Sequence, residues 1–480
     1  MCLRLAVFVL GCLAPLCAAA EETLSDRLRA ALAVPAFQDA AAGALVVRAD
    51  SGALLFERAA DRAFVPASNQ KLPTALAVLA SFGPAHRFTT AVYADRPPDA
   101  AGAVGTLYVR GGGDPALTSE LCWRLAADLY REGLRRVGGA LVLDASLFDG
   151  MYWHPAWQGV STRAYHAPVA ALAVNYSTFS LKVRGSREVG APLKAVLDPP
   201  VPFLALSVAA RVGVAGGADS LRVERQWQEG RERVALHGEL PAGAETEDVY
   251  ASVGHPELYF GAVLRMQLAA LGISVAGPTQ LARLPETAAP LLEFQGHSLA
   301  EIVRLMLKYS NNAIAESLVK NLGAQATGGT GTWENGVAAL RQRLSDLGVP
   351  LSGLVLLDGS GLALENRVSP RTLVAALQVA KQSFFFGPEL LAALPLGGTD
   401  GTLKKRAEKV GPLLRAKTGF LTGATGLSGY ARARDGSETV FSILVNGYQT
   451  SDDAVQKAVD GFVAALVSGS PAAAGGLPGR

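Results

Sequence analysis

The sequence predicts an α/β (α+β) protein in which a five-stranded antiparallel sheet, flanked by helices, is interrupted by inserted α/β and β-rich domains. Two strand patterns near the N-terminus and three near the C-terminus predict the sheet. The long stretch between them alternates between helical and strand patterns, so the sheet is expected to combine both chain ends. With 480 residues, half of them hydrophobic, the chain can fill at least two cores.

The first twenty residues have the pattern of a signal peptide. Arg4 is the only charge before an apolar run from Leu5 to Leu16, and small residues up to Ala20 then precede two glutamates. This predicts secretion across the inner membrane, cleavage after Ala20, and a periplasmic protein that is soluble or loosely membrane-associated. A lipoprotein site at Cys12 is the less favoured alternative, because the apolar region before it is shorter than the usual ~7 to 15 residues.

The N-terminal part of the mature chain predicts a hairpin followed by a helix. Two apolar runs between Gly43 and Phe56 are separated by Asp50-Ser51-Gly52, a turn sequence. After Pro66, residues 68–82 repeat apolar side chains at helical spacing. We therefore expect a helix with Ser68 at its open N-terminal end.

The middle of the chain predicts folded insertions. Strand patterns at 105–110 and 139–143 flank a helical pattern at 117–132, which is typical of a small α/β unit, and β alternation follows beyond Ala173. The predicted organisation is as follows: signal peptide, 1–20; sheet domain, 21–90 and 285–467; inserted α/β domain, 91–177 and 246–284; β-rich insert, 178–245; flexible tail, 468–480.

Towards the C-terminus the pattern returns to helices and then strands. Helical spacing covers 257–271 and 299–307, the second opened by a capping box of Ser298 and Glu301. Ser451 is expected to cap a last helix that runs to about residue 467. The three strand patterns between them lie at 413–416, 426–432 and 439–446.

Composition excludes several classes of partner and cofactor. Lys and Arg total 44 against 42 Asp and Glu, and this net charge of +2 gives no reason to expect a nucleic acid. Cys122 is the one cysteine beyond the signal region, so no intrachain disulfide is expected, and no later apolar run is long enough for a transmembrane anchor. The six histidines lack ligand spacing, so no metal and no cofactor are predicted. The oligomeric state is not indicated.

Three short motifs carry the candidate chemistry: Ser68-Asn69-Gln70-Lys71, Ser310-Asn311-Asn312 and Lys417-Thr418-Gly419. They match the SxxK, SxN and KTG set of penicillin-recognising enzymes. Lys71 follows Ser68 by one helical turn, so its amine can reach the hydroxyl and serve as the base that a serine nucleophile needs. A second SxxK, from Ser317 to Lys320, is interpreted as ordinary helix surface.

Each motif also has a purely structural interpretation. Ser68 could be a helix cap, Ser and Asn are common in loops, and Lys417 could be an exposed edge lysine that prevents aggregation. Gly419 is expected to let a substrate backbone approach closely. The order and context of the three motifs favour the catalytic interpretation, and the separation of about 240 residues between Ser68 and Ser310 requires folded insertions.

With these motifs the chain resembles the low-molecular-mass class C penicillin-binding proteins, the D-alanyl-D-alanine carboxypeptidase/endopeptidase family. The resemblance implies the penicillin-recognising serine DD-peptidase/β-lactamase-like fold, action on peptidoglycan stem peptides and crosslinks, and β-lactam antibiotics as covalent inhibitors. Five further segments carry it: 111–115, 165–168, 358–362, 366–371 and 397–403.

The resemblance also implies roles for individual residues. Ser68 would attack the carbonyl between two D-amino acids, Lys71 would accept its proton, and Ser310 would relay a proton to the leaving amine. The backbone amides of Ser68 and Phe420 would form the oxyanion hole. Substrate binding is implied for Asn312, Lys417, Thr418 and Gly419.

Two positions depart from the family pattern. Phe420 stands where a small or hydroxylated residue is frequent, and its ring is expected to narrow the subsite. The family places an acidic residue after a Trp to bind a diamino-acid side chain, but Trp157 is followed by Gln158-Gly159-Val160-Ser161, and the nearest earlier acid is Asp149. Neither the diamino acid nor the balance of carboxypeptidase and endopeptidase activity follows from the sequence.

Two alternative functions remain open. A secreted β-lactamase uses the same three motifs, although no Glu-x-x-Leu-Asn stretch that could supply a class A deacylating Glu is present. A non-catalytic peptidoglycan-binding protein on the same fold is disfavoured because the motif residues are intact.

Overall fold

The computed structural model of the protein describes residues 23–468. The predicted signal peptide lies outside the described residues, as do residues 469–480 of the predicted tail. Within the described range, no helix has the length and apolar character that crossing a membrane requires.

The described chain contains ten α-helices, several of which begin at side-chain caps. Ser298 and Glu301 form the predicted capping box, and Ser451 caps the last helix as expected. The helices are α1 (Leu24–Leu32), α2 (Lys71–Phe82), α3 (Ser119–Arg131), α4 (Pro256–Ala270), α5 (Leu299–Tyr309), α6 (Asn312–Thr327), α7 (Trp333–Asp346), α8 (Pro370–Gln382), α9 (Gly387–Ala393) and α10 (Asp452–Val467).

The same residues contain 21 strands, grouped in six sheets. They are β1 (Ala41–Arg48), β2 (Leu54–Arg58), β3 (Thr89–Ala94), β4 (Ala103–Val104), β5 (Leu107–Arg110), β6 (Arg136–Val137), β7 (Leu141–Asp144), β8 (Thr178–Arg184), β9 (Lys194–Asp198), β10 (Leu204–Val208), β11 (Arg211–Gly213), β12 (Arg222–Gln228), β13 (Arg231–His237), β14 (Glu239–Pro241), β15 (Glu247–Ser252), β16 (Ser274–Val275), β17 (Thr279–Leu281), β18 (Ala289–Gln295), β19 (Leu414–Leu421), β20 (Ala424–Arg432) and β21 (Glu438–Asn446).

The predicted five-stranded antiparallel sheet is confirmed. Its strand order is β19-β20-β21-β1-β2, so the N-terminal hairpin joins the C-terminal meander where β1 pairs with β21. That pairing runs without a break from Ala41 opposite Asn446 to Arg48 opposite Thr439. The N-terminal and C-terminal parts of the chain therefore meet inside one sheet. Residues 59–413 connect the two parts and are called the excursion below.

This sheet is buried on both faces because side chains alternate between two hydrophobic cores. Val46 and Phe441 point into a core formed with α1 and α10, whereas Leu45 and Val440 point into a larger core formed with α2, α5, α6 and α8. Such two-sided burial explains why these strands read as continuous apolar runs instead of an apolar and polar alternation.

A third hydrophobic core lies in the excursion. A mixed sheet of order β17-β7-β5-β3-β18 packs with α3 and α4, and the smaller sheets of the β-rich segment continue the same core. β15 lies beyond residue 245, where the predicted β-rich insert ends, and pairs with β8 inside it; β18 lies beyond residue 284 and pairs with β3. The domain boundaries themselves stay a prediction.

Ser68 lies in a tighter turn than the helix predicted from its spacing. Residues Ala67–Gln70 form a 3-10 helix, and α2 begins only at Lys71. Pro73 has no backbone N–H to donate to the carbonyl of Asn69, so a regular α-helix cannot include the preceding turn. The expected α-helix over 68–82 is therefore wrong by its first three residues, and Ser68 precedes α2.

Replacement of Phe441 by Ala should destabilise the sheet by about 3–5 kcal/mol, because this ring is fully buried between β21 and α10. Denaturant unfolding followed by circular dichroism measures the change. The matched control is Phe384→Ala, where 98% of the residue is exposed and a change within about 0.5 kcal/mol is expected. Equal effects of the two substitutions would contradict the assigned packing.

Candidate active site

The three motifs meet at one place. The Lys71 Nζ lies 2.9 Å from the Ser68 Oγ and 2.7 Å from the Asn312 Oδ1, which joins the first motif to the second. The Lys417 Nζ donates to the Ser310 Oγ at 2.8 Å, which joins the second motif to the third. Positions about 240 and 350 residues from Ser68 in sequence thus contribute to one site.

The second motif is held by a sharp break between two helices. Ser310 adopts a left-handed conformation, with φ 56°, and ends α5. The side chain of Asn311 then accepts the backbone N–H of Ile314 and caps α6. This break directs Ser310 towards Lys417 and places Asn312 in the first turn of α6, beside Lys71.

The Lys71 amine is fully buried, and its neighbours define where its lone pair can point. Asn312 Oδ1 and the carbonyl oxygen of Ser360, at 2.9 Å, can only accept hydrogen bonds. A neutral amine has two N–H groups, so these two acceptors occupy both. In this neutral form its lone pair is left for the Ser68 hydroxyl, which then donates to it, whereas the charged amine donates to the Ser68 Oγ.

Burial also favours the neutral amine. It lowers the pKa of Lys71 to about 7, against the opposing effect of the negative charges of Glu316 and Asp358. A lysine with its pKa near neutrality can accept a proton at physiological pH. The Lys71 amine therefore has both the geometry and the basicity of a general base for Ser68.

Two buried carboxyl groups that the sequence analysis did not select support this arrangement from behind. Glu316 accepts the backbone N–H groups of Gly359 and Ser360, at 3.0 and 2.7 Å, and the indole N–H of Trp333. Burial, together with the nearby charge of Asp358, raises the pKa of Glu316. Glu316 follows Asn312 by four residues, so the i, i+4 spacing on one helix face was the available signal.

Asp358 holds the same loop from its other side. Its carboxylate accepts the backbone N–H groups of Gly361 and Ala363 and the side-chain amide of Asn366. The indole N–H of Trp157 completes its contacts at 2.9 Å. The loop that carries the Ser360 carbonyl is consequently fixed before any ligand binds.

Lys417 is wholly buried, so its interpretation as an exposed edge lysine is wrong. Its amine donates to Ser310 Oγ and to the carbonyl of Thr418, at 2.7 Å. Burial holds the pKa of Lys417 well below its usual value, and the neighbouring charge of Lys71 lowers it further. The strand is at the edge of the sheet, but the Lys417 side chain lies against Ser310 of the second motif and not in solvent.

Gly419 has a packing role that the sequence analysis did not identify. A Cβ at this position would lie 2.3 Å from the side-chain nitrogen of Asn69 and 2.7 Å from the carbonyl oxygen of Pro66. The missing side chain therefore allows β19 to pack against the Ser68 turn. The close approach of a substrate backbone stays a prediction.

The free edge of β19 carries main-chain groups directed towards the site. Leu414 and Ala416 bond outwards, away from β20, to Gly397 and Pro395. Because outward and inward groups alternate along a strand, the N–H of Phe420 also points to the open edge. The Thr418 hydroxyl, nearby, donates to Thr402 at 2.8 Å.

The second SxxK is not helix surface, which corrects the sequence interpretation. Ser317 and Lys320 are both buried. The Lys320 amine pairs with Asp149 at 2.5 Å and lies 3.8 Å from the centre of the Trp333 ring. The Lys320 amine also donates to the carbonyl of Met151, so this lysine joins α6 to the 149–151 segment. Its described hydrogen-bond partners do not include the Ser317 hydroxyl.

A cleft of about 970 Å³ opens beside the second motif. Its walls are the 161–165 loop, the start of β12, the centre of β15 and residues 309–312. The hydroxyl-bearing Ser310 and the amide of Asn312 lie at its inner end. Over residues 23–468, no group of three His, Cys, Asp or Glu side chains is arranged to hold a metal ion.

Comparisons with known proteins agree with this geometry. The model of the D-Ala-D-Ala carboxypeptidase 3 (S13) family matches residues 24–466. The D-alanyl-D-alanine carboxypeptidase of Actinomadura sp. (strain R39) is 34% identical over 445 residues, which cover 88% of this chain and 81% of that protein.

Solved structures give the same result for the fold. Penicillin binding protein 4 (dacB) from Haemophilus influenzae has a TM-score of 0.76 at 24% identity, covering 91% of this chain and 98% of that one. The same protein complexed with a novel β-lactam has a TM-score of 0.73 at 25% identity, covering 92% and 98%. The penicillin-recognising fold predicted from the motifs is confirmed.

Substitution of Gly419 by Ala should destabilise the protein by about 1–3 kcal/mol, because the new methyl group overlaps Pro66 and Asn69. Thermal unfolding measures the effect. Gly461→Ala on α10 is the control: nothing lies within 4 Å of its Cβ position, and an Ala in an exposed helix should stabilise by about 0.5–1 kcal/mol. A neutral Gly419→Ala would show that the two segments are not in contact.

Proposed function

Because the chain belongs to the D-Ala-D-Ala carboxypeptidase 3 (S13) family, a family of serine peptidases, we propose that its DD-peptidase activity uses Ser68 as the nucleophile and Lys71 as the base. The observation that carries this proposal is the buried amine of Lys71, 2.9 Å from the Ser68 hydroxyl, with both of its other neighbours acting as acceptors. A serine is a poor nucleophile without such a neighbour.

The proposed acylation step starts when the Ser68 Oγ attacks the carbonyl carbon between two D-amino acids. The Oγ–C bond forms as the Ser68 proton moves to Lys71, and the negative charge on the carbonyl oxygen is held by the backbone amides of Ser68 and Phe420. The outward direction of the Phe420 N–H on the free edge of β19 supports this oxyanion hole.

The C–N bond then breaks, and the leaving amine needs a proton. Ser310 is suited to relay it: its hydroxyl, which accepts a hydrogen bond from Lys417, gives its own proton to the amine and regains one from the protonated Lys71, so that Lys71 is neutral again. Water attacks the acyl-enzyme in the second half of the reaction, with Lys71 again as base.

Substrate binding is proposed for the remaining motif residues. Asn312 is oriented by Lys71 and by the carbonyl of Tyr165, so its amide is ready to bind a substrate amide. Lys417 and Thr418 provide an amine and a hydroxyl near the free edge of β19, where a terminal carboxylate would bind. Gly419 contributes by allowing β19 to lie against the nucleophile turn.

The proposed substrates are peptidoglycan stem peptides that end in D-Ala-D-Ala and the D-amino-acid crosslinks between them. β-Lactams are proposed as covalent inhibitors that acylate Ser68, by analogy with the penicillin binding protein 4 structure that is complexed with a β-lactam. Export to the periplasm is proposed from the N-terminal sequence pattern. Mass spectrometry of the mature N-terminus tests it, and an uncleaved chain that still begins at Met1 would contradict it.

A fluorescent penicillin should label the wild type, and Ser68→Ala should abolish labelling and lower D-Ala release from a D-Ala-D-Ala peptide by at least about a thousandfold. Gel fluorescence and amino-acid analysis measure the two effects. Ser317→Ala, in the second SxxK, is the matched control and should keep both activities. Labelling that survives in Ser68→Ala would refute the assignment of the nucleophile.

The acylation rate should rise with pH through about 7, because the pKa of Lys71 is lowered to about 7 and its neutral form is the active one. Glu316→Gln should move this rise to lower pH, since the negative charge of Glu316 raises the pKa of Lys71. Rates of penicillin labelling between about pH 5 and 9 measure the shift.

The control for the pH experiment is Asp149→Asn. This carboxylate pairs with Lys320 and is not among the charges that act on Lys71, so the pH profile should stay where it is. A profile that moves to higher pH in Glu316→Gln, or that moves equally in both variants, would contradict the proposed electrostatic coupling.

A further inference from the structure

The cleft beside Ser310 and Asn312 has a charge that the catalytic motifs do not require. Its lining includes two arginines, Arg163 and Arg222, and no Asp or Glu side chain. A volume of about 970 Å³ exceeds what one amino-acid side chain needs and is typical of sites that enclose whole ligands. The cleft therefore presents positive charge to the part of a peptide that extends from the reacting bond.

Arg163 is available for a ligand. Its guanidinium forms no ion pair within residues 23–468, and it contributes to the lowered pKa of His166, which is mainly an effect of burial. Arg222 lies 3.7 Å from Glu224, but both side chains are exposed, and such a pair is worth little in water. Neither arginine is thus neutralised by a buried partner.

The loop that carries Arg163 is fixed to both walls of the cleft. Arg163 pairs through its backbone with Ala251 of β15, and the Thr162 hydroxyl donates to the carbonyl of Val223 on β12 at 2.6 Å. On the opposite side, the Asn312 amide donates to the carbonyl of Tyr165 at 3.0 Å. The backbone that carries Arg163 is therefore held at a set position relative to the active site.

Acidic groups nearby are used elsewhere. Asp149, the nearest earlier acid to Trp157, forms a 2.5 Å ion pair with Lys320. Trp157 itself donates to the buried Asp358. The cleft lining contains no carboxylate that could attract an amino group of a ligand. The two arginines therefore determine which charge the cleft prefers in a ligand.

We infer that this cleft binds free carboxylates of the peptide substrate and discriminates against substrates in which those carboxylates are amidated. The inference rests on the proposed function, since it assigns the cleft to the same substrate. Arginine is suited to the task because its planar guanidinium binds a carboxylate through two hydrogen bonds. The tyrosines of the lining, Tyr165, Tyr176, Tyr250 and Tyr309, supply further hydroxyl donors.

The experiment uses two synthetic stem-type pentapeptides that end in D-Ala-D-Ala and differ in one respect. One has free side-chain carboxylates, and in the other the same groups are primary amides. Their dissociation constants are measured by calorimetry with the full chain carrying Ser68→Ala, which prevents turnover. The acid peptide should bind about fivefold more tightly than the amide, and this preference should decrease as salt is added.

Matched variants test the two arginines. Arg163→Gln combined with Arg222→Gln should remove the preference, whereas the corresponding double change to Lys should keep only part of it, because the charge remains but the paired hydrogen bonds of the guanidinium are lost. Arg231→Gln removes an exposed arginine at the start of β13, outside the cleft lining, and should leave the preference unchanged. Melting temperatures establish that each variant is folded.

Several outcomes would overturn the inference: equal affinity for the two peptides, tighter binding of the amide, no measurable binding of either, or a preference that survives the double change to Gln. These results do not involve turnover. Failure of the proposed function would appear separately, as a wild-type protein that neither releases D-Ala nor reacts with penicillin.

Discussion

Burial of the Lys71 amine is the constraint on which the rest of the site depends. An ammonium group without partners is very costly to transfer into a protein interior, and the chain meets this cost by favouring the neutral form and by giving both N–H groups an acceptor. The acceptors come from segments more than two hundred residues from Lys71, namely Asn312 and Ser360. A single buried amine thus requires the segment around Lys71 to pack against the segments that carry Asn312 and Ser360.

The carboxyl groups of Glu316 and Asp358 affect both the surroundings and the pKa of the Lys71 amine. Glu316 and Asp358 hold the loop that presents the Ser360 carbonyl, through backbone N–H groups and two indoles. Their charges also raise the pKa of Lys71 and so limit the effect of burial, which keeps its pKa near neutrality. Position and basicity are consequently set by the same buried groups.

The long excursion between the first two motifs has a function in this arrangement. Its backbone reaches the catalytic region where Asn312 contacts the carbonyl of Tyr165, and its strands β12 and β15 form the outer wall of the cleft. The inserted region therefore contacts the segment that carries Ser310 and Asn312 and shares a cleft with it. It supplies walls of the cleft beside the second motif, and Arg163 and Arg222 give this cleft a charge that Ser310 and Asn312 do not supply.

By itself the sequence determined the local elements, the five strands of the central sheet and the three motifs, because residue spacing reports directly on helix and strand faces. It also placed Ser68 next to Lys71, since the two are one turn apart. Only the tertiary structure decided the role of Gly419, the burial of Lys320 and Lys417, and the participation of Glu316. Those properties depend on which distant segment covers a residue, and burial by a distant segment leaves no periodic trace in the sequence around that residue.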